Sequence, residues 1–169
     1  MLITGFQIKG MNKVAADIAA GFKSGHVEVG FFAGDNTTKL GTGYADIAEK
    51  NNYGDPMNMM NGKPAPIPAR PFIDATIDEF KESVGGGDER MEDLETRIVV
   101  GAKLDRRLNT KKYLEEMGRF FLNRMLLICA RWTTPPNDPI TIAAKGRDDP
   151  LVWNKNIASY ARAKKPVVK

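Results

Sequence analysis

Cysteine and histidine are almost missing from this chain, which has one of each, Cys129 and His26, in 169 residues. One thiol forms no intramolecular disulfide, and one imidazole excludes every zinc site that needs two or more histidines. Long apolar runs are missing as well. No stretch approaches the roughly 18 residues that a membrane span requires, and MLITGFQIKG at the N-terminus has too short an apolar run for a secretory signal. Aromatic residues reach only 8%. Neither sign of charge dominates: 25 Lys+Arg stand against 21 Asp+Glu, a net +4 that is far from a polycationic tail. These absences lead to the expectation of a reduced, soluble protein, intracellular where it is made, with no membrane contact, no metal and no cofactor.

What is present suits a folded domain. Apolar residues make up 42% of the chain and charged residues 27%, too apolar for full disorder. The length predicts one domain over 1–169, able to remove roughly two-thirds of its unfolded surface from water.

Periodicity divides the chain into elements. Met11, Val14, Ile18 and Phe22 recur at helical spacing over 11–23. HVEVGFF at 26–32 alternates, with Val27, Val29 and Phe31 on one face and His26, Glu28 and Gly30 on the other, which predicts a strand. A turn-rich loop over 33–43 leads to a short helix over 44–51 with Tyr44, Ile47 and Ala48 inward. The segment 52–70 carries Pro56, Pro64, Pro66 and Pro68 and reads as a long Pro-rich loop, protruding over 53–70. Pro71 opens a helix with Ile73, Ile77, Phe80 and Val84 on one side, ended by Gly85-Gly86-Gly87. Asp88 caps another, with Met91, Leu94 and Ile98. The strongest helix is 111–131, where Leu114, Met117, Phe121, Met125, Ile128 and Trp132 align and Leu122, Leu126 and Leu127 widen the stripe. The last 30 residues read as a mixture of short extended pieces and loops, with Val167-Val168 a final edge strand and 161–169 an extended arm. The whole predicts an α+β domain of about four helices packed on a small, mainly antiparallel sheet.

Charge is segregated along the chain. Nine acids and two bases lie between Asp74 and Glu95, nine bases and three acids between Arg97 and Arg131, and seven bases and three acids between Thr133 and Lys169. Opposite-sign faces suit a subunit that meets copies of itself, although for any single cluster solvated helix faces with local ion pairs are the simpler reading.

Catalytic chemistry finds little support. His26 precedes a strand and has no neighbouring Ser or Cys to activate. Cys129 lies on the apolar side of the strongest helix, as a structural thiol would. The carboxylates of DERMEDLE at 88–95 lack the alternating spacing and central glycine of a calcium loop. Neither Gly41-Thr42-Gly43 nor Gly85-Gly86-Gly87 has the context of a phosphate loop. The basic tail ARAKKPVVK has few aromatics beside it for base stacking. The expectation is a protein that is not an enzyme and works by contact.

Two stretches carry a resemblance. One runs from His26 to Ile73: the strand VEVGFF, the helix YADIAEKNNYG and the entry IPARPFI, with Ala45, Glu49, Gly54, Ile67, Pro68, Arg70, Pro71 and Phe72 at the matching positions. The other is PPNDPITIAAKGRDDPLVWNKNIASY over 135–160, where Pro139, Thr141, Lys145, Gly146, Pro150 and Leu151 match. Together they span about half the chain, and they resemble the small tailed-phage virion-morphogenesis and tail-completion proteins, of the Mu-like virion morphogenesis and putative tail-component type. Where that family has Asp-Thr-Gly, this chain has Trp153-Asn154-Lys155.

The resemblance implies a structural virion protein of the neck that completes the tail and joins it to the head connector. Its partners would be copies of itself in a six-fold ring, connector or adaptor proteins, tail-tube or tail-terminator proteins, and genomic DNA in weak channel contact. Its location would be the virion, and the host cytoplasm during assembly. A tail-terminator ring is the near alternative, and a basic nucleic-acid-binding module the distant one. The contact residues expected are Met57, Met59 and Met60 on the Pro-rich loop, Pro68, Arg70 and Phe72 at its elbow, Leu151 and Trp153 as an anchor, and Arg162, Lys164 and Lys165 on the C-terminal arm.

Overall fold

The computed structural model describes residues 2–4, 25–35, 37–38, 41–85, 106–152 and 155–168. The helices expected over 11–23 and from Asp88 onward, and Trp153, lie outside these residues. In chain order the described elements are β1 (Leu2–Thr4), β2 (Gly25–Gly30), α1 (Tyr44–Tyr53), β3 (Met59–Met60), β4 (Lys63–Pro64), α2 (Phe72–Gly85), α3 (Arg106–Arg131), α4 (Pro139–Lys145), a 3-10 turn over Ile157–Tyr160, β5 (Arg162–Ala163) and β6 (Val167–Val168). Four α-helices with small antiparallel sheets make this an α+β fold, as the periodicity predicts. Contacts group the chain into two compact units, Met1–Gly30 with Asp78–Leu122 and Arg162–Lys169, and Phe31–Ile77 with Asn123–Ala161.

In the first unit β2 is the central strand, and its alternation is the one read from the sequence. Gly25, Val27 and Val29 are buried while His26, Glu28 and Gly30 are half-buried. β1 pairs antiparallel along its middle, with Ile3 opposite Val27. β5 and β6 pair antiparallel with its two ends, Val29 opposite Ala163 and His26 opposite Val167. His26 thus faces Thr4 on one edge and Val167 on the other. Pro166 falls between the two C-terminal strands, where its missing N–H costs the ladder nothing. The C-terminal segment is extended, as expected, and its extended residues are sheet strands.

Helix α3 crosses the buried face of β2. A Cβ on Gly118 would stand 2.9 Å from the Cβ of Ala163 and within 3.6 Å of both Val27 and Val29. Glycine is the residue that permits so close an approach of helix to sheet. Phe80 closes the same core, with its ring centroid 5.4 Å from that of Phe121 and 5.9 Å from that of Phe120.

The α3 stripe holds at Leu114, Met117, Phe121, Met125 and Ile128, all buried. It widens differently from the reading above. Tyr113, Gly118 and Cys129 complete the buried arc, while Leu127 is 55% exposed. At about 100° per residue, Leu127 falls beyond the edge of that arc. The stripe of α2 is likewise turned by one residue: Phe72, Thr76, Phe80 and Ser83 are buried, and Ile73 and Ile77 flank them. The two hydroxyls can be buried because each donates to a carbonyl one turn back, Thr76 to Phe72 at 2.6 Å and Ser83 to Glu79 at 2.8 Å.

Candidate binding pocket

The second unit is built around the Pro-rich segment, which is folded rather than an unpaired loop. Gly54 ends α1 at φ 85°, and a Cβ there would meet the backbone of Ala69 at 3.0 Å. Asp55 and Ile67 then exchange both backbone hydrogen bonds, at 2.8 and 2.9 Å. The Asn58 amide donates to the carbonyl of Ala65 at 2.8 Å. At the tip, Met60 faces Lys63 across a two-residue turn in which Asn61 and Gly62 both have positive φ, 53° and 74°. That is the geometry of a type I′ turn, and Asn-Gly is the sequence signal for it. The reading by proline content missed this signal.

Arg70 ties this hairpin to the segment that follows α3. The residue is 2% exposed. Its Nε donates to the carbonyl of Pro135 at 3.0 Å and its Nη2 to that of Pro136 at 2.7 Å. Longer contacts run from Nη1 to Asn51 Oδ1 at 3.3 Å and from Nη2 to Asn137 Oδ1 at 3.4 Å. All four acceptors are neutral. Burial lowers the Arg70 pKa while the charge of Asp148 opposes that shift, and a guanidinium stays protonated regardless. Asp148 acts from behind Asn137, whose backbone N and side-chain Nδ2 both donate to Asp148 Oδ1, at 2.8 and 2.9 Å.

Helix α4 supplies the next wall. The earlier reading of this region as extended pieces and loops is corrected here: Asp138 caps the helix by accepting from Ile140 N at 2.9 Å, Pro139 opens it, and Gly146 closes it at φ 76°. Asp-Pro before and glycine after are start and stop signals that were available in the sequence. Thr141 Oγ1 on this helix lies 3.9 Å from Met60 Sδ, and Lys145 Nζ donates to the carbonyl of Asp149. Burial lowers the Lys145 pKa, against the raising influence of Asp149.

Together these parts line a cavity of about 390 Å³ that opens to solvent. Its walls are largely apolar: Ile47, Met59, Met60, Ile67, Leu151 and Ile157. Tyr44 and Tyr160 also line it, stacked with centroids 3.5 Å apart and planes at 10°. The hydrogen bond with Tyr160 raises the Tyr44 phenol above its ordinary pKa, helped by burial. Three cations reach the cavity, Arg70, Lys145 and Lys155, against one carboxylate, Asp138.

Of the contact residues expected from sequence, Met59, Met60, Pro68, Arg70 and Leu151 come together on this cavity. Met57, 83% exposed, stands on the turn leading into β3. Arg70, Phe72 and Leu151, expected at an elbow and as an anchor, make their contacts within this chain. Each is buried within the chain and offers almost no surface to a partner. Phe72 packs edge-on against Phe31, at a centroid distance of 6.2 Å. Arg162, Lys164 and Lys165 belong to the first unit and are exposed, with Lys164 Nζ 2.6 Å from Glu28 Oε2. That pairing holds the Glu28 carboxyl below its ordinary pKa. Tyr44, Lys155 and Tyr160 were not foreseen as site residues. No motif marks them, since they meet only through folding.

Among the described residues, no group of three or more His, Cys, Asp or Glu could hold a metal ion, and no helix is long and apolar enough to cross a membrane. The chain matches no protein-family model, no curated protein and no solved structure.

Proposed function

We propose that this chain is a structural subunit of the tailed-phage neck, forming a ring that completes the tail and joins it to the head connector. One observation carries the reading. The two stretches that resemble the family, 26–73 and 135–160, are not independent pieces. The Arg70 guanidinium of IPARPF bonds the carbonyls of Pro135 and Pro136 at the head of the second stretch. The first stretch from Phe31 onward and the whole of the second thereby fall in one compact unit, which is what a shared fold would require of them.

The role itself needs contacts rather than chemistry. A ring closes through two complementary patches on each subunit, and the acidic run 74–95 and the basic runs after it offer opposite charges for them. Met57 and Met59 are exposed on or beside the hairpin and can adapt to a partner surface.

Light scattering and negative-stain electron microscopy of the purified chain, alone and with a connector and a tail-tube protein, test the reading. Closed rings that cap tubes or connectors support it. A monomer at every concentration that binds neither component overturns it. Tight DNA binding that survives about 0.15 M salt, where phosphate-driven contacts weaken steeply, would instead favour a nucleic-acid module.

A further inference from the structure

The cavity of the second unit has a chemical character that a ring subunit does not require. Its volume, about 390 Å³, is within the range of roughly 300–1,000 Å³ typical of pockets that hold small ligands. Its walls are branched aliphatic, methionine, proline and stacked tyrosine side chains. Arg70, Lys145 and Lys155 line it with the single carboxylate of Asp138, while Asp148 and Asp149, outside the lining, act on Arg70 and Lys145. One Asp138 oxygen already accepts the N–H of Ile140. Arg70 touches only neutral acceptors, and Lys155, exposed, makes no ion pair among the described residues.

We propose that this cavity binds a ligand with an apolar aromatic or branched aliphatic body that ends in one carboxylate. The walls fit the body, and the cations of the lining, Lys155 foremost, fit the anion. The size of the anion follows from the donors that remain. A guanidinium has five N–H groups, and four of those on Arg70 are directed at protein acceptors among the described residues, leaving one on Nη1. The Lys145 ammonium is engaged by protein partners, the Asp149 carbonyl among them. A monoanion is met by the one N–H left on Arg70 and the Lys155 ammonium, whereas a phosphate brings three strong acceptors and up to two charges to a wall that also carries the Asp138 carboxylate. The carboxylate can come from a small organic acid or from the C-terminus of a polypeptide ending in an apolar residue. The inference stands on the cavity and holds whether or not the chain assembles into a ring.

The test is a methyl-detected NMR titration of the full chain with phenylbutyrate, with its neutral amide, with phenyl phosphate, and with a short peptide ending in phenylalanine. Phenylbutyrate should perturb the methyls of Ile47, Met59, Met60 and Leu151, with affinity roughly tenfold above that of the amide. Lys155→Gln should weaken it about threefold, as an exposed charge contact does, while Lys111→Gln, at a residue that is not among those lining the cavity, leaves it unchanged. Binding of the free acid alone assigns a small organic acid as the ligand, and binding of the peptide as well assigns a chain terminus. Equal affinity for acid and amide, preference for the phosphate, or no shift at these methyls with any probe overturns the proposal.

Discussion

Arg70 donates from Nη2 to the carbonyl of Pro136 at 2.7 Å, bridging 66 positions of the sequence. Its Nε adds a second bond to Pro135 at 3.0 Å, so one planar fork holds two consecutive carbonyls. A lysine has no such fork and offers a single point charge. The backbone N–H of Arg70 also donates to the carbonyl of Asn51 at 2.8 Å, and the side chain of Asn52 accepts from Ile73 N at 3.0 Å. The end of α1, the hairpin, the start of α2 and the segment after α3 thus meet around this residue.

Replacing Arg70 should therefore loosen the second unit. Arg70→Met removes charge-assisted bonds to two carbonyls, which should cost roughly 2–3 kcal/mol, and Arg70→Lys should recover only part of that. Urea unfolding of the three proteins measures it. Equal midpoints for wild type and Arg70→Met would show that the bonds contribute nothing.

The approach of α3 to the sheet predicts a specific rescue. Gly118→Ala gains about 1 kcal/mol of helix propensity but sets its new methyl 2.9 Å from the Cβ of Ala163. Overpacking of this kind costs typically 1–3 kcal/mol, and Ala163 can yield only by moving its strand. The single variant should be less stable than wild type, and Gly118→Ala with Ala163→Gly should restore part of the loss. Thermal unfolding of the pair checks it. Additive effects would mean that the two residues do not meet.

Removal of residues 161–169 should destabilise the fold, contrary to the behaviour of a dispensable arm. The deletion strips both edge partners from one side of β2, exposes its unpaired backbone groups and removes Ala163 from its place against Gly118. Amide exchange of Glu28 and Gly30 is the readout, since the Glu28 carbonyl accepts from Lys164 N and these two residues face that edge, with faster exchange expected in the truncated chain. Unchanged protection would mean that β2 is held by β1 and α3 alone.

Cys129 should be silent to thiol reagents in the native state. It is 1% exposed, and burial pushes its pKa up to about 12, against a small lowering by the backbone of Ala158. A thiol whose pKa is raised by folding favours the native state below its unfolded pKa of about 8.5. That contribution fades as pH rises from there toward 12. Iodoacetamide at mildly alkaline pH should label the chain only once denaturant has opened it. Rapid native labelling would show a thiolate within reach of solvent.

Local pattern and local chemistry determined much of this molecule. The strand at Val27 and Val29, the helix carrying Leu114 to Ile128 and the helix after Pro71 follow from period alone, because one face of each must leave water. The hairpin at Asn61-Gly62 and the helix from Asp138 to Gly146 were also written locally, in turn and cap residues. Tertiary structure decided the rest. Leu127 points outward, and Thr76 and Ser83 inward, because a helix face is chosen by what packs on it and by whether each hydroxyl finds a carbonyl. The destination of Arg70 depended on a loop some 65 positions on, and the meeting of Tyr44 with Tyr160 on chain closure. No period or motif encodes such pairings, since charge and stacking act through space and the sequence orders residues only along the chain.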